Sequence, residues 1–166
     1  KENRLLVQTR DNARRLPGLS GEQAAWFELR VGDIALRNGR LGEAEKAFRA
    51  GLKTHPEDYR LLAAMARVAV ARHDWRAGID WGDRALARHL DPATLALVGD
   101  AYRALGDSAK PEEYYRVLEV SLGGQTGAFH RAWSLALLDR GRRVPELLEK
   151  ARQEIKVRQD VYGWDL

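Results

Sequence analysis

The chain has 166 residues, with 28 Lys+Arg against 24 Asp+Glu and a formal net charge of +4. At 45% hydrophobic and 31% charged residues the composition is that of a globular domain, which excludes a disordered chain, and no apolar run approaches the roughly 18 residues of a membrane span. There is no cysteine, so disulfides, thiolate metal sites and cysteine nucleophiles are excluded.

In chain order, Lys1-Glu2-Asn3-Arg4 lacks an initiator Met and shows no apolar signal core, so sequence preceding it is expected to have been removed. Residues 2–16, with Leu5, Leu6, Ala13 and Leu16, predict an N-terminal helix that covers the first helix pair and ends at Pro17-Gly18. Residues 22–38 carry Ala24, Phe27, Val31, Ile34 and Ala35 at helical spacing and stop at Asn38-Gly39. Residues 41–54 continue with Leu41, Ala44, Ala47, Phe48 and Leu52 until Pro56. Further helices are predicted at 58–72, 75–89, 92–105, 110–121, 127–140 and 144–157. Asp91-Pro92 is a start signal, an N-cap followed by Pro in the first turn, and Val144-Pro145-Glu146 reads similarly. No stretch alternates with period two, so no sheet is predicted. Asp160 to Leu166 opens like a further first helix and stops before it can pair.

These helices repeat. At an offset of 34, Ala35 falls on Ala69, Leu36 on Val70, Leu41 on Trp75, Leu52 on Leu86 and His55 on His89. At 33, Ala66 falls on Gly99, Ala69 on Tyr102 and His73 on Gly106, and Arg140-Gly141-Arg142 lies 35 beyond Gly106. Helix pairs of fixed period cannot bury their faces alone, so they stack.

The pattern resembles the tetratricopeptide repeat. Its first copy, roughly 25–58, supplies Val31-Gly32, Ala35, Gly39, Leu41, Ala44, Phe48, Gly51-Leu52 and Pro56. Its third supplies Val98-Gly99, Tyr102, Gly106 and Tyr115. The steric reason is that small residues (Gly32, Ala44, Gly51, Gly78, Ala85, Gly99) let paired helices approach while bulky ones fill the space beside them. The sequence departs from the pattern at Gly82, where a bulky residue is usual and Trp81 stands beside it, and at Leu90, where Pro is usual. Pro111 replaces a small residue, which predicts a late start for that helix, and Gly123 to Gly127 makes an irregular join. The resemblance implies a single all-α domain over 1–166, a right-handed superhelical solenoid of antiparallel helix pairs. It would hold an N-terminal helix and linker at 1–18, repeats at 25–58, 59–91, 92–125 and 126–158, and the start of a truncated helix at 159–166. It looks like a fragment of a longer bacterial-type repeat protein.

Tests for catalytic and cofactor chemistry favour structural readings. None of His55, His73, His89 and His130 is four residues from another, as a helical metal site requires. His55 and His89 fall near second-helix ends, where a partly charged imidazole suits the helix dipole. Gly123-Gly124-Gln125-Thr126-Gly127 lacks the Lys-Ser/Thr ending of a phosphate loop and reads as a helix cap and flexible loop. Glu43/Glu45 and Glu112-Glu113 sit in first turns, where negative charge is stabilising. No Ser-His-Asp arrangement is supported, so no catalytic residue, metal or cofactor is assigned. Of the five Trp, Trp75 and Trp133 fall on core positions, whereas Trp26 and Trp81 are candidate contact residues and Trp164 lies at the C-terminus.

First helices are expected to line the concave face. Positions not used for packing are Trp26, Leu29, Arg30, Asp33 and Arg37, then Arg60, Ala63, Ala64, Arg67 and Ala71. In the third copy they are Ala93, Ala96, Asp100 and Arg103, and in the fourth Arg131 and Leu135. The result is an Arg ladder (Arg30, Arg37, Arg60, Arg67, Arg103, Arg131) that would pair carboxylates of a peptide or merely neutralise Glu28, Asp33 and Asp100. Some family members grip a peptide C-terminus with Lys and Asn at set positions. Here those positions carry Leu29, Asp33 and Ala64, which does not support that partner class.

The leading expectation is a non-catalytic scaffold or adaptor that binds a peptide or protein through Trp26, Arg30, Asp33, Arg37, Arg60, Arg67, Asp100 and Arg103. The alternative is an Arg-rich surface for RNA or another polyanion, since 22 of the basic residues are Arg and 6 Lys. Because the Arg are spread along the chain, a GC-rich source explains the excess better. Self-association through Val161, Tyr162 and Trp164 is a third reading. The composition fits the cytoplasm and a bacterial envelope alike.

Overall fold

The computed structural model describes residues 2–13, 18, 20–123 and 131–157, and among them the chain forms α-helices and no strand. It divides into two units, Lys1–Leu90 and Asp91–Leu166. The first holds α1 (Glu2–Ala13), α2 (Gly21–Arg37), α3 (Leu41–Thr54), α4 (Tyr59–Ala71) and α5 (Trp75–Leu86). The second holds α6 (Pro92–Ala104), α7 (Lys110–Gly123), α8 (Arg131–Leu138) and α9 (Val144–Val157). This is an all-α helical repeat, as the sequence spacing predicts. The Gly124–Gln125–Thr126–Gly127 join, His130 and the Val161–Trp164 edge lie outside the described residues.

The repeat is visible in the backbone. After α2, α4, α6 and α8 the chain closes with the same bond: Arg40 N–H donates to Ala35 O (2.9 Å), Asp74 to Ala69 (3.0 Å), Asp107 to Tyr102 (3.1 Å) and Arg142 to Leu137 (3.0 Å). This six-to-one closure needs a residue in the left-handed region just before the donor. Gly39 (φ 71°), Gly106 (83°) and Gly141 (65°) supply it without a Cβ penalty, and His73 (60°) is the exception. His73 sits edge-on to Trp75, with ring centroids 5.1 Å apart.

Helix starts follow equally local chemistry. Ser20 and Gln23 form a reciprocal capping box before α2. Asp58, Asp74 and Asp91 cap α4, α5 and α6 by accepting from Arg60, Ala77 and Thr94 N–H. Besides Asp91-Pro92, the Ser20-x-x-Gln23 spacing and the Asp that stands directly before the apolar runs of α4 and α5 are local start signals legible in the sequence. Helix α7 begins four residues after Gly106, against two after Gly39 and His73, so the late start expected from Pro111 is present. The Asp107 carboxylate bridges the gap by accepting from Ala109 and Lys110 N–H, both at 2.9 Å.

One boundary needs correction. Helix α5 ends at Leu86 rather than 89, where the Arg88 N–H tightens onto Ala85 O, three residues back instead of four. His89 therefore leaves the helix, and its ring lies 4.4 Å from that of Tyr59.

In the first unit α2 pairs with α3 and α4 with α5, α3 meets α4, and α2 also touches α4 directly. One core results: Ala25, Leu29, Ala35, Ala44, Phe48, Leu61, Ala64, Met65 and Val68, with Leu36, Leu52 and Trp81 packed on its margin. A Cβ on Gly32 would collide with the Phe48 ring, so that helix crossing depends on glycine. Trp81 supplies bulk beside Gly82, where the repeat pattern places a large residue. Helix α1 packs on α2, and Arg10 reaches the buried Glu28 at 3.6 Å. In the second unit α6 pairs with α7, α8 packs on both, and α9 packs on α8. There Gly99 makes room for Tyr115, whose Cε1 would stand 2.6 Å from an added Cβ.

Asp58 links this architecture to pH. The residue is 4% exposed, and its carboxylate accepts from Arg60 Nε (3.0 Å), Arg60 Nη2 (2.7 Å) and the Arg60 backbone N–H (2.9 Å). Burial alone pushes its pKa up, but the Arg60 side-chain and backbone bonds outweigh it, so the net shift is downward. The carboxylate's contribution is therefore fully present above the ordinary Asp value of about 3.9 and is lost as pH falls through the lower folded value. The urea midpoint of the first unit is expected to drop between pH 6 and pH 3. Asp58→Asn should flatten that drop, and an unchanged acid slope would overturn the assignment.

Candidate functional site

Trp26, Arg30, Asp33 and Arg37 stand four, three and four residues apart, which puts them on one stripe of α2. Trp26 is 45% exposed, its ring edge-on to Phe27. Arg30 and Arg37 are exposed and Asp33 is half-buried. Arg60 and Arg67, seven apart on α4, form a second stripe. Arg67 Nη2 donates to Asp33 Oδ1 across the two helices at 2.9 Å, a bond that spans 34 residues, the repeat length itself. Arg30 reaches the same carboxylate at 4.0 Å. In the first unit, then, six of the expected contact residues share adjoining first helices.

The face is narrower than the helical wheel suggests. Leu29 and Ala64, expected in the groove, are 8% and 0% exposed and belong to the core cluster. The reason is the direct contact of α2 with α4, which covers the flank that each first helix turns toward its neighbour. In the second unit Ala96 is also buried, because α6 packs on both α7 and α8. Ala63 and Leu135 are half-buried, whereas Ala71 and Ala93 are exposed.

Much of the Arg ladder is already engaged. Arg60 serves Asp58, and Arg67 serves Asp33. In the second unit Arg103 donates to Asp100 Oδ1 at 2.8 Å, and Asp100 also accepts from Tyr115 Oη at 2.6 Å and pairs with Arg140. The two pairs with an exposed guanidinium, Arg67–Asp33 and Arg103–Asp100, contribute little stability, about 0–1 kcal/mol each, but they compensate charge. Arg142 bonds Glu112 and Glu119, and Glu45 takes Arg72 (2.5 Å) and Arg49 (2.8 Å), which hold its carboxyl below the ordinary value.

Among the described residues no group of three or more His, Asp or Glu is placed to hold a metal ion. None of the described helices is long and apolar enough to cross a membrane. Trp75 and Trp133, expected at core positions, are half-buried, and Trp81 lies on the second helix α5 rather than on the first-helix face.

Residues 24–68 match the family model described as Tetratricopeptide repeat. No curated protein matches the chain.

Proposed function

We propose that this tetratricopeptide repeat protein, matched to its family over residues 24–68, is an adaptor that binds a protein or peptide on the exposed face of its first helices. Such repeats mediate protein–protein interaction and are typically non-catalytic scaffolds. The observation that carries the reading is the α2 stripe. An exposed Trp stands in line with Arg30, Asp33 and Arg37 and is joined by Arg67 from α4. An amphipathic aromatic beside Arg is the residue pair on which binding energy most often concentrates. In the second unit Arg103, beside Asp100, is the exposed counterpart on α6.

A polyanion is the weaker reading, because Arg60, Arg67 and Arg103 each face a carboxylate within the fold. Salt separates the two. Counterion release makes polyanion binding fall steeply with salt, whereas an apolar anchor holds. The test is a pull-down from the source lysate at low and high salt, with and without nuclease, using the whole chain and a Trp26→Ala/Arg30→Glu variant. A defined protein retained at high salt, and reduced at least about tenfold in the variant, is expected. Nucleic acid that disappears with salt or nuclease, or a protein captured equally by the variant, would overturn the reading.

A further inference from the structure

Between α3 and α5, the second helices of the first unit, lies a cavity of about 270 Å³, open to solvent and lined by Arg49, Leu52 and Lys53 of α3, Pro56 of the turn that follows it, and Trp81 and Arg84 of α5. Its chemistry is one-sided: three cationic side chains surround three apolar ones, and no carboxylate lines it. The Trp81 ring packs on the margin of the core, and the Arg84 guanidinium stands 4.5 Å from its centroid. Arg49 lies 6.0 Å from the same ring and is anchored by Glu45 at 2.8 Å. Lys53 is exposed in the last turn of α3. The indole and Leu52 are built into the folded unit, so an incoming apolar group meets a surface already in place.

We infer that this cavity is a second binding site, separate from the first-helix face, for a short acidic peptide. An apolar side chain would lie against Trp81, Leu52 and Pro56, and an adjacent carboxylate would be held by Lys53 and Arg84. The charge selects the occupant. A basic segment would meet the like charges of Lys53 and Arg84, and a purely apolar one would bury their ammonium and guanidinium groups without a carboxylate, since only Arg49 has one in Glu45. The size fits one side chain and its neighbour, not a folded domain. A bare polyanion would satisfy the cations and leave the indole floor unused. A carboxylate arriving at Arg84 keeps the cation over the indole face, so the two contacts reinforce each other.

The probe is a fluorescein-labelled hexapeptide of alternating Leu and Glu, titrated against the whole chain by fluorescence polarisation. The comparison probes are its Gln-for-Glu, C-amidated counterpart and a hexathymidylate. The variants are Lys53→Glu/Arg84→Glu, Trp81→Phe and, on the other face, Arg30→Glu/Arg67→Glu, with helix content checked by circular dichroism. The Glu peptide should bind and lose at least about tenfold in affinity in Lys53→Glu/Arg84→Glu, since each replaced cation becomes a like charge. It should lose less in Trp81→Phe, which keeps a ring, and nothing in Arg30→Glu/Arg67→Glu. No binding, equal binding of the Gln peptide, equal binding of the hexathymidylate, or indifference to Lys53→Glu/Arg84→Glu would each overturn the site. Loss only in Arg30→Glu/Arg67→Glu would do so too, and would move the peptide to the first-helix face.

Discussion

Phe48→Ala is expected to lower the unfolding free energy of the first unit by about 3–5 kcal/mol, the cost of emptying a fully buried aromatic site. The ring is 0% exposed and fills the space that Gly32 leaves open at the crossing of α2 and α3. The opposite change should also be costly. Gly32→Ala gains helix propensity of about 1 kcal/mol but drives a methyl group into the ring, and overpacking of about 1–3 kcal/mol outweighs it. Coupling is the sharper test, because residues in direct contact do not add. Gly32→Ala with Phe48→Leu should be less damaging than the sum of the two single changes. Urea titration followed by far-ultraviolet circular dichroism measures each of these proteins. Strict additivity, or a Phe48→Ala loss below about 1 kcal/mol, would mean the crossing is not the centre of the unit's packing.

The second large effect belongs to Asp100. Its carboxylate receives Tyr115 Oη (2.6 Å), Arg103 Nη2 (2.8 Å) and Arg140 Nε (3.2 Å). Tyr115 is 2% exposed and the Arg140 side chain 12%, so Asp100→Ala takes the acceptor from a buried hydroxyl and the carboxylate from a largely buried cation that keeps only its bond to Ala136 O among its hydrogen bonds to protein acceptors. The expected loss is about 2–3 kcal/mol, below the full value for a buried pair because Asp100 itself is about a third exposed. Hydrogen exchange on the whole chain should show it in the amides of α6 and α7, with those of α2 to α4 little changed. Uniform acceleration across both units, or none, would sink the assignment.

The same cluster has an alkaline signature. Burial, and then the hydrogen bond to Asp100, push the Tyr115 pKa above its ordinary value. A raised folded value means the contribution is fully present below the unfolded pKa of about 10 and is lost as pH rises through the folded one. In an ultraviolet phenolate titration the Tyr115 transition should lie above the ordinary tyrosine value of about 10, and Asp100→Ala should lower it toward that value. The shared acceptor also shows why the expected contact role of Asp100 and Arg103 differs in kind from that of Trp26. The Asp100 carboxylate has structural work within its own unit, whereas the Trp26 ring is nearly half exposed and stacks edge-on against its chain neighbour Phe27.

The amino-acid sequence determined the period, the turns and the helix pairs of this protein, because each rests on interactions within a few residues. Gly39, Gly106 and Gly141 mark the left-handed closures, Asp91-Pro92 marks a start, and Gly32 and Gly99 mark the crossings that admit Phe48 and Tyr115. Even His73, which hides the turn signal behind a side chain, is revealed by its alignment with Gly39 at one repeat. Tertiary structure alone decided the charge and the breadth of the surfaces. Arg67 meets Asp33, Arg140 meets Asp100 and Arg142 meets Glu112 across gaps of 34, 40 and 30 residues. A helical wheel gives the direction of a side chain from its own axis but not what the next helix places there. For the same reason Leu29, Ala64 and Ala96 lie in the core rather than in the expected groove, and Trp81 floors a cationic cavity between α3 and α5. Periodicity fixes which side of a helix must be covered, while the approach of the neighbouring helix sets how much of that side is covered and which charges are left to meet a partner.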